Sequence, residues 1–199
     1  AASSAEATAC ATCKSGEYQP SAGKLVCVKC DAGKFRDSSS MASAPETEAC
    51  TACAANSFQN ETGQIQCKVC AAGKYRNIAA AAIRSEQTAC SDCAFGQYQS
   101  LVGQMQCHSC VAGKFRDVSA AASAHETSAC VDCPIGEYQP VPARSACIKC
   151  SAGKFRDGLI AANTTEAHAC AFCNVNGFQD EVGKATCKVC SAGQYRDNT

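Results

Sequence analysis

Residues 13–30, CKSGEYQPSAGKLVCVKC, contain the pattern from which the rest of the chain is built. The second Cys of a CxxC pair opens the phrase C-x-x-[G/N]-x-[Y/F], and a further CxxC pair closes the segment. All ten CxxC pairs open this phrase, which contains ten of the twelve aromatic residues, all but Phe95 and Phe172. The [G/N] position holds Gly eight times, and Asn at Asn56 and Asn176. Because Gly and Asn adopt positive φ most readily, the phrase predicts a left-handed turn followed by a short extended segment.

The cysteines recur with a period of 40 residues. Cys10, Cys13, Cys27 and Cys30 are followed by equivalents at 50, 53, 67 and 70, and so on to 170, 173, 187 and 190, without insertion or deletion. Five copies predict a tandem array with no separate globular domain. We place a partial or first repeat at 1–29, full repeats at 30–69, 70–109, 110–149 and 150–189, and the start of a next repeat at 190–199.

The composition predicts the fold class. Val, Ile, Leu and Phe number only 27 of 199 residues, about 14% of the chain, below the roughly 20% that a hydrophobic core needs. Twenty cysteines indicate that disulfides replace the missing core. We therefore expect a small disulfide-rich repeat protein, an elongated rod of short extended segments, turns and irregular loops laddered by disulfides, with little regular helix. Each aromatic ring of the phrase is expected to pack against a nearby disulfide.

Charge and motifs argue against several classes of function. Eighteen basic and eighteen acidic residues give zero net charge, which argues against nucleic acid or an anionic membrane as a partner. The longest apolar stretch, Ile78 to Ile83, is far shorter than the ~20 residues that cross a bilayer, so we expect no membrane insertion. No Ser/His/Asp, paired-carboxylate or Gly-rich phosphate signature occurs where a pocket could form. We expect neither an enzyme nor a cofactor.

CxxC pairs also occur in zinc sites and in thiol redox proteins. The spacing of neighbouring pairs is close to that of a zinc ribbon, but the long intervals open with the same phrase as the short ones, which favours single loops. Redox exchange requires a low-pKa CxxC at a helix start, and ten equivalent pairs in turn-forming contexts do not fit it. His108, His125 and His168 do not recur with the period and are interpreted as solvated loop residues. We expect no metal site.

The long intervals, such as that between Cys30 and Cys50, are rich in Ala, Ser and Thr and predict mostly irregular loops. Ala runs such as that from Ile78 could form one or two helical turns, but an isolated short helix is marginal. One Arg and one Glu recur in every repeat, at Arg36, Arg76, Arg116, Arg156 and Arg196, and at Glu6, Glu46, Glu86, Glu126 and Glu166. We interpret them as exposed pairs, Arg36 with Glu46 for instance, that contribute about 0 to 1 kcal/mol each.

Two N-glycosylation sequons begin at Asn60 and Asn163, each in a polar loop. The Ser/Thr-rich long loops also suit O-glycosylation. Together with the cysteine content, these features favour the secretory route and an extracellular location, either secreted or at the cell surface.

The phrase closed by a Cys about fourteen residues on resembles the ephrin-receptor-like cysteine-rich repeat. It reads CKSGEYQPSAGKLVC from Cys13 and CAFGQYQSLVGQMQC from Cys93. It is also similar to the loop modules of tumour-necrosis-factor-receptor ectodomains. The resemblance covers essentially the whole chain and implies an extracellular, elongated, disulfide-laddered protein that serves as a stalk, an adhesive surface or a receptor ectodomain.

Because each half-repeat opens at the second Cys of one pair and closes at the first Cys of the next, we expect neighbouring cysteines to bond. The predicted disulfides are Cys13 with Cys27, Cys30 with Cys50, Cys53 with Cys67, Cys70 with Cys90, Cys93 with Cys107, Cys110 with Cys130, Cys133 with Cys147, Cys150 with Cys170, and Cys173 with Cys187. The alternative is interlocked pairing, Cys10 with Cys27 and Cys13 with Cys30. The sequential scheme leaves Cys10 and Cys190 unpaired, whereas the interlocked scheme pairs all twenty.

The constant period favours a structural subunit of an extracellular filament, hair or surface coat. Equal repeats allow contacts in register with other copies of the chain or with neighbouring repeats in a fibre, with glycans on the remaining surface. The alternative is a stalk or ligand-binding ectodomain of a receptor or adhesion protein. That function requires exposed anchors in one or two repeats, for which Phe95 and Phe172 are the only candidates.

Overall fold

The computed structural model describes residues 10–77 and 85–196. The Ala run from Ile78, where one or two helical turns could form, lies outside these residues, as does Glu6. The chain forms two compact units, one of Ala1–Ser91 with Val102–Gln106 and the other of Asp92–Leu101 with Cys107–Thr199.

Strands of two residues form the regular part of the fold. In nine of the ten half-repeats, the residues after the left-handed turn pair with the two residues inside the next CxxC motif. Tyr18 of β1, for example, is opposite Val28 of β2 in an antiparallel ladder. Each odd-numbered strand forms a two-stranded sheet with the strand that follows it. The strands are β1 Glu17–Tyr18, β2 Val28–Lys29, β3 Lys34–Phe35, β4 Thr51–Ala52, β5 Ser57–Phe58, β6 Lys68–Val69, β7 Lys74–Tyr75, β8 Ser91–Asp92, β9 Gln97–Tyr98, β10 His108–Ser109, β11 Lys114–Phe115, β12 Val131–Asp132, β13 Glu137–Tyr138, β14 Ile148–Lys149, β15 Lys154–Phe155, β16 Ala171–Phe172, β17 Gly177–Phe178 and β18 Lys188–Val189.

One helical turn precedes the second cysteine of each long loop. The four turns are α1 Glu46–Ala49, α2 Glu86–Ala89, α3 Glu126–Ala129 and α4 Glu166–Ala169. α1 ends at Ala49 and is capped by Cys50, whose backbone N–H donates to the carbonyl of Glu46 and whose backbone is extended. The turn buries Ala49 completely. Its short side chain lets the backbone lie directly against the disulfide, as described below.

Nine disulfides join cysteines that are neighbours in sequence, and they follow the sequential scheme. Five close loops with a sequence separation of 14, and four close loops with a separation of 20. Cys10 and Cys190 remain free thiols. The interlocked alternative is therefore wrong for this structure. The expected fold class, a small disulfide-rich repeat protein with little helix, is confirmed.

The core consists of small separate clusters, each built on the disulfide of one long loop. In the first, Tyr18 packs on Cys30, Cys50, Ala44 and Ala49. The equivalent rings, those of Phe58, Tyr98 and Tyr138, lie in corresponding clusters. The prediction that rings pack on disulfides is thus confirmed for four of the five short-loop phrases, whereas Phe178 of the fifth is exposed. The long-loop aromatics Phe35, Tyr75, Phe115 and Phe155 are half-buried and lie outside these clusters.

We predict that the two kinds of disulfide stabilise the protein unequally. Cys30 and Cys50 are buried in a cluster, whereas Cys13 and Cys27 are half-exposed. Closing either loop contributes about 3 kcal/mol in the chain-entropy account. The Cys30→Ala/Cys50→Ala variant also loses buried packing and should be less stable than Cys13→Ala/Cys27→Ala by about 1 to 3 kcal/mol. Denaturant unfolding of the two double variants checks this. Equal losses of stability would contradict the assignment of the core to the long-loop disulfides.

Candidate functional site: the junction between repeats

The junction is the place where three successive loops meet, and they bond to one another there through their backbones. We define the first junction by residues 14–17 of one short loop, Cys30 and Arg36 of the long loop, and residues 63–64 of the next short loop. Gly16 donates its N–H to the carbonyl of Arg36 at 2.7 Å and accepts from the N–H of Cys30 at 2.9 Å. In turn, the N–H of Gly63 donates to the carbonyl of Cys30 at 2.8 Å.

A left-handed residue allows this close approach. Gly16 has φ of 84°, and a Cβ placed on it would overlap the carbonyl of Gly63. Asn56 takes the equivalent position in the next repeat with φ of 72°. There the side-chain amide Nδ2 donates to the carbonyl of Gly103 at 2.7 Å, so the side chain makes a polar contact with the neighbouring loop. The sequence predicted positive φ at both residues, and the structure confirms it, as it does at the other eight [G/N] positions.

The same bonds recur every 40 residues. The carbonyls of Cys30, Cys70, Cys110 and Cys150 accept from the N–H groups of Gly63, Gly103, Ala143 and Gly183 at 2.8 to 2.9 Å. The N–H groups of Arg36, Arg76, Arg116 and Arg156 donate to the carbonyls of Gln64, Gln104, Arg144 and Lys184 at 3.0 to 3.1 Å. Four junctions in the described residues therefore share one bonding scheme.

The recurring arginine holds the junction together from inside. The Arg36 side chain is 6% exposed, and its Nη1 donates to the carbonyls of Lys14 and Glu17 at 2.8 and 2.9 Å. Arg116 is similarly buried, and its guanidinium donates to four carbonyls, those of Cys93, Ala94, Gln97 and Ala120. Burial lowers the pKa of Arg116, while nearby Asp117 opposes this shift. Backbone carbonyls thus replace the water that such a charge would otherwise bind.

The expected pairing of Arg36 with Glu46 is wrong. Arg36 is buried among carbonyls, and Glu46 lies elsewhere in the loop, where its Oε1 accepts from the N–H of Asp31 at 3.0 Å and its Oε2 lies 3.2 Å from Lys34 Nζ. The physical reason is geometric: the fork of a guanidinium can reach several carbonyls of two loops at once. Glu86 and Glu166 likewise accept from the N–H that follows the first cysteine of their loops.

A recurring glutamine, which the sequence analysis did not recognise as structural, folds each short loop. Gln59 is 2% exposed; its Nε2 donates to the carbonyl of Gln66 at 2.9 Å, and its Oε1 accepts from the N–H of Glu61 at 3.1 Å. Gln139 and Gln179 make the same pair of bonds. The side chain bridges the loop from within. It therefore fixes the shape of the segment that contains Gly63 and Gln64, which bond to Cys30 and Arg36.

A family model described as tyrosine-protein kinase ephrin type A/B receptor-like matches residues 1–46, 41–86, 81–127 and 121–166. The chain belongs to this ephrin-receptor-like family. No curated protein matched the chain. Because the four matched windows overlap, they do not fix where an ephrin-receptor-like repeat begins, and the boundaries at 30, 70, 110 and 150 remain a prediction.

The predicted glycosylation sites and the two aromatic residues outside the phrase all lie on the surface of the ephrin-receptor-like repeats. Asn60 and Asn163 are both exposed, so both side chains are accessible to glycosylation. Their glycosylation remains a prediction. Phe95 and Phe172 are also exposed, and the face of each ring meets a cation of the same chain, Arg116 and Lys154 respectively. Residue Lys154 belongs to the strand that pairs with the strand containing Phe172.

Zinc binding and thiol redox exchange both require cysteines with free thiols. Eighteen cysteines form disulfides and therefore have no thiolate to offer a metal. In the part of the chain that the structure describes, no group of three or more His, Cys, Asp or Glu side chains is placed to hold a metal ion. His108 lies with its ring centroid 5.7 Å from that of Tyr98, and His168 Nδ1 lies 3.2 Å from Thr165 Oγ1. Over the same described residues, none of the helices has the length and apolar character that a bilayer crossing requires.

We predict that Arg116→Lys destabilises the protein by about 2 to 4 kcal/mol, because an ammonium cannot satisfy four carbonyls at once and leaves buried acceptors unpaired. Arg144→Lys is the matched control, since Arg144 is exposed and its replacement should change stability by no more than about 0.5 kcal/mol. Urea unfolding of the disulfide-intact protein, followed by tyrosine fluorescence, measures both. Equal effects of the two variants would refute the role of the buried fork.

We also predict that Glu46 contributes to the acid sensitivity of the fold. The N–H of Asp31 is the main cause that lowers the pKa of Glu46 below its ordinary 4.5, Lys34 adds to the effect, and burial opposes it. A depressed folded-state pKa stabilises the protein above about 4.5, and this stabilisation is lost as the pH falls through the folded-state value. Glu46→Gln should therefore show a shallower loss of stability below pH 4.5 than the parent chain. Glu48→Gln, on the exposed face of α1, should keep the parent's profile; identical profiles for all three proteins would contradict the prediction.

Proposed function

We propose that this chain is a structural subunit of an extracellular filament, hair or surface coat built from tandem ephrin-receptor-like repeats. The observation that carries the proposal is the junction, whose backbone bonds recur at a constant interval of 40 residues. A contact made by one repeat is therefore available again at the equivalent residues of the next. Weak contacts of about 1 kcal/mol each then act together, because later contacts are intramolecular once the first has formed.

The role that we propose is not catalytic. The recurring polar side chains, those of Arg36, Gln59 and Glu46 and their equivalents, bind main-chain groups of the chain itself, either in their own repeat or in the adjacent one. Their hydrogen-bonding capacity is used to define loop shape. The partners that we propose are other copies of the chain or neighbouring repeats in a fibre, with N-linked glycans at Asn60 and Asn163.

The extracellular location that we propose rests on the chemistry of the fold. Nine disulfides replace a hydrophobic core, and such scaffolds form and persist where the environment is oxidising. Ephrin-receptor-like repeats typically occur in extracellular regions of proteins, and this chain belongs to that family. The ligand-binding alternative would use Phe95 and Phe172, but the faces of these rings already contact Arg116 and Lys154 of the chain itself.

Electron microscopy of the full chain, purified with its disulfides intact, tests the proposed function. We expect filaments with one regular axial spacing, and loss of these filaments after reduction, since the repeats then lose their loop closures. Isolated monomers that bind one ligand tightly at a single repeat would overturn the proposal and favour a receptor ectodomain.

A further inference from the structure

The fourth long loop, within residues 150–170, lines a groove together with residues of the preceding repeat. The groove has a volume of about 510 Å³, within the range of roughly 300 to 1,000 Å³ that is usual for small-ligand sites. All of its lining residues belong to the second compact unit. They include Gly113, Asp132 and Ile135 of the preceding repeat, and Leu159, Ile160 and Asn163 of the long loop.

Two apolar side chains of this groove are exposed. Leu159 is 94% exposed and Ile135 is 58% exposed. The position of Leu159 is serine in two other long loops, at Ser39 and Ser119, and the position of Ile135 is serine in the first short loop, at Ser15. The fold therefore accepts serine at both positions. Two apolar side chains exposed together in one groove indicate a surface that a further group covers.

A sequon for N-linked glycosylation occurs in the same loop. Asn163 begins the sequence Asn-Thr-Thr, is exposed and lines the groove. The equivalent residues of the three preceding long loops are Ser43, Ile83 and Ser123, so those loops have no sequon at this position. The long loop with the exposed Leu159 is thus also the long loop with the acceptor asparagine, and both residues line one groove.

Hydrogen bonds hold the long loop in one conformation beside the groove. The Oδ1 of Asp157 accepts from the N–H groups of Leu159 and Ile160 at 2.9 and 3.1 Å. The carbonyl of Ala162 accepts from the N–H of Gln139 at 2.7 Å. The loop is therefore ordered before any group enters the groove, which lowers the entropy cost of binding there.

The root of the Asn163 side chain is also fixed. A Cβ on Gly113 would lie 3.1 Å from Asn163 Cβ and 3.5 Å from its Cα, so Asn163 packs directly over this glycine. The contact sets the point from which the asparagine side chain leaves the loop. Because Asn163 lines the groove, a sugar attached to its Nδ2 begins at the groove.

We propose that this groove is the seat of the first sugar of an N-linked glycan attached to Asn163. The apolar face of the N-acetylglucosamine ring covers Leu159 and Ile135, and a sugar hydroxyl donates to the carboxylate of Asp132. The Asp132 side chain is 81% exposed and lies 2.8 Å from Lys114 Nζ, so it keeps oxygen lone pairs for the sugar. The inference rests on the glycosylation included in the proposed function and does not depend on filament assembly.

The other sequon lies in different surroundings. The Oδ1 of Asn60 accepts from Lys68 Nζ at 3.0 Å, and the same ammonium lies 2.8 Å from Glu61 Oε1. The side chains of Lys68 and Glu61 are both well exposed. A glycan on Asn60 therefore meets hydrated charges where a glycan on Asn163 meets apolar side chains, and the two sites of one chain can be compared directly.

The glycan is supplied by an oligosaccharide linked to a lipid diphosphate. A bond forms between Asn163 Nδ2 and C1 of the first sugar, and the bond between C1 and the diphosphate oxygen breaks. The lipid diphosphate leaves with the electron pair of that bond, and the amide nitrogen loses one proton to a base of the transferase. Nothing is oxidised or reduced, and the sequon supplies the acceptor amide.

The test uses the full chain secreted from eukaryotic cells with its nine disulfides intact, treated in the native state with peptide-N-glycosidase. This enzyme hydrolyses the bond between asparagine and sugar and leaves Asp, so peptide mass analysis follows Asn60 and Asn163 separately. Release from Asn163 should be slower than release from Asn60 by about tenfold, because the seated sugar must first leave Leu159 and Ile135. After reduction and denaturation, both sites should be released at similar rates.

One pair of variants probes the apolar seat. Leu159→Ser introduces the residue that other long loops have at this position, so the variant should fold. Its release from Asn163 should rise to within about twofold or threefold of release from Asn60, because the ring loses its apolar contact. Val118→Ser is the matched control, since Val118 is 81% exposed in a long loop without a sequon. Its two release rates should equal those of the parent.

Equal release from Asn60 and Asn163 in the native parent would overturn the proposal, as would an unmodified Asn163 or equal effects of Leu159→Ser and Val118→Ser. An Asn163→Gln chain that self-associates, and that Leu159→Ser returns to monomers, would show that a second copy covers the groove instead. Microscopy separates this inference from the proposed function. Fast release from Asn163 in a chain that forms filaments removes the seat and leaves the filament function, whereas slow release in a chain that forms none does the reverse.

Discussion

Each repeat depends on the left-handed residue placed three positions after the cysteine that opens its short loop. At Gly16, positive φ turns the chain so that the next two residues form a strand, and the missing side chain lets the carbonyl of Gly63 come into contact. An alanine there would be strained in φ and would collide with that carbonyl. Asn56 is the alternative solution, because it tolerates the same φ and converts the close contact into a hydrogen bond with Gly103.

Disulfides and buried polar side chains together replace a conventional hydrophobic core. The disulfide between Cys30 and Cys50 supplies loop closure and the apolar surface on which Tyr18 packs. Arg36 supplies cohesion by binding carbonyls of two loops, those of Lys14 and Glu17 in the short loop and that of Ser40 in the long loop. Burying a charge without an acidic partner costs free energy unless several dipoles face the charge. Here the backbone carbonyls of the loops point inward and face the guanidinium. Small alanines such as Ala49 let these elements lie close together.

The sequence alone predicted the parts of the fold that depend on residue type and spacing. The ten left-handed turns follow from Gly and Asn, and the sequential disulfides follow from the half-repeat symmetry. The burial of Arg36 and Gln59 was not predicted, because the charge or polarity of a side chain does not reveal which backbone groups surround it. A signal was present, however: the residue after the phrase aromatic is Gln in every short loop and Arg in every long loop, as in Gln19 and Arg36. A solvated surface position has no reason to alternate so strictly.

Native-state hydrogen exchange tests most directly whether the junctions hold the repeats together. The amides of Gly63 and Gly183 donate to the carbonyls of Cys30 and Cys150, so their exchange should require the global unfolding of the disulfide-bonded chain. Gly158 lies exposed in a long loop and provides the reference for a freely exchanging amide. The account predicts slow exchange at Gly63 and Gly183, with similar protection at both, and fast exchange at Gly158. Exchange at Gly63 and Gly183 as fast as at Gly158 would contradict it.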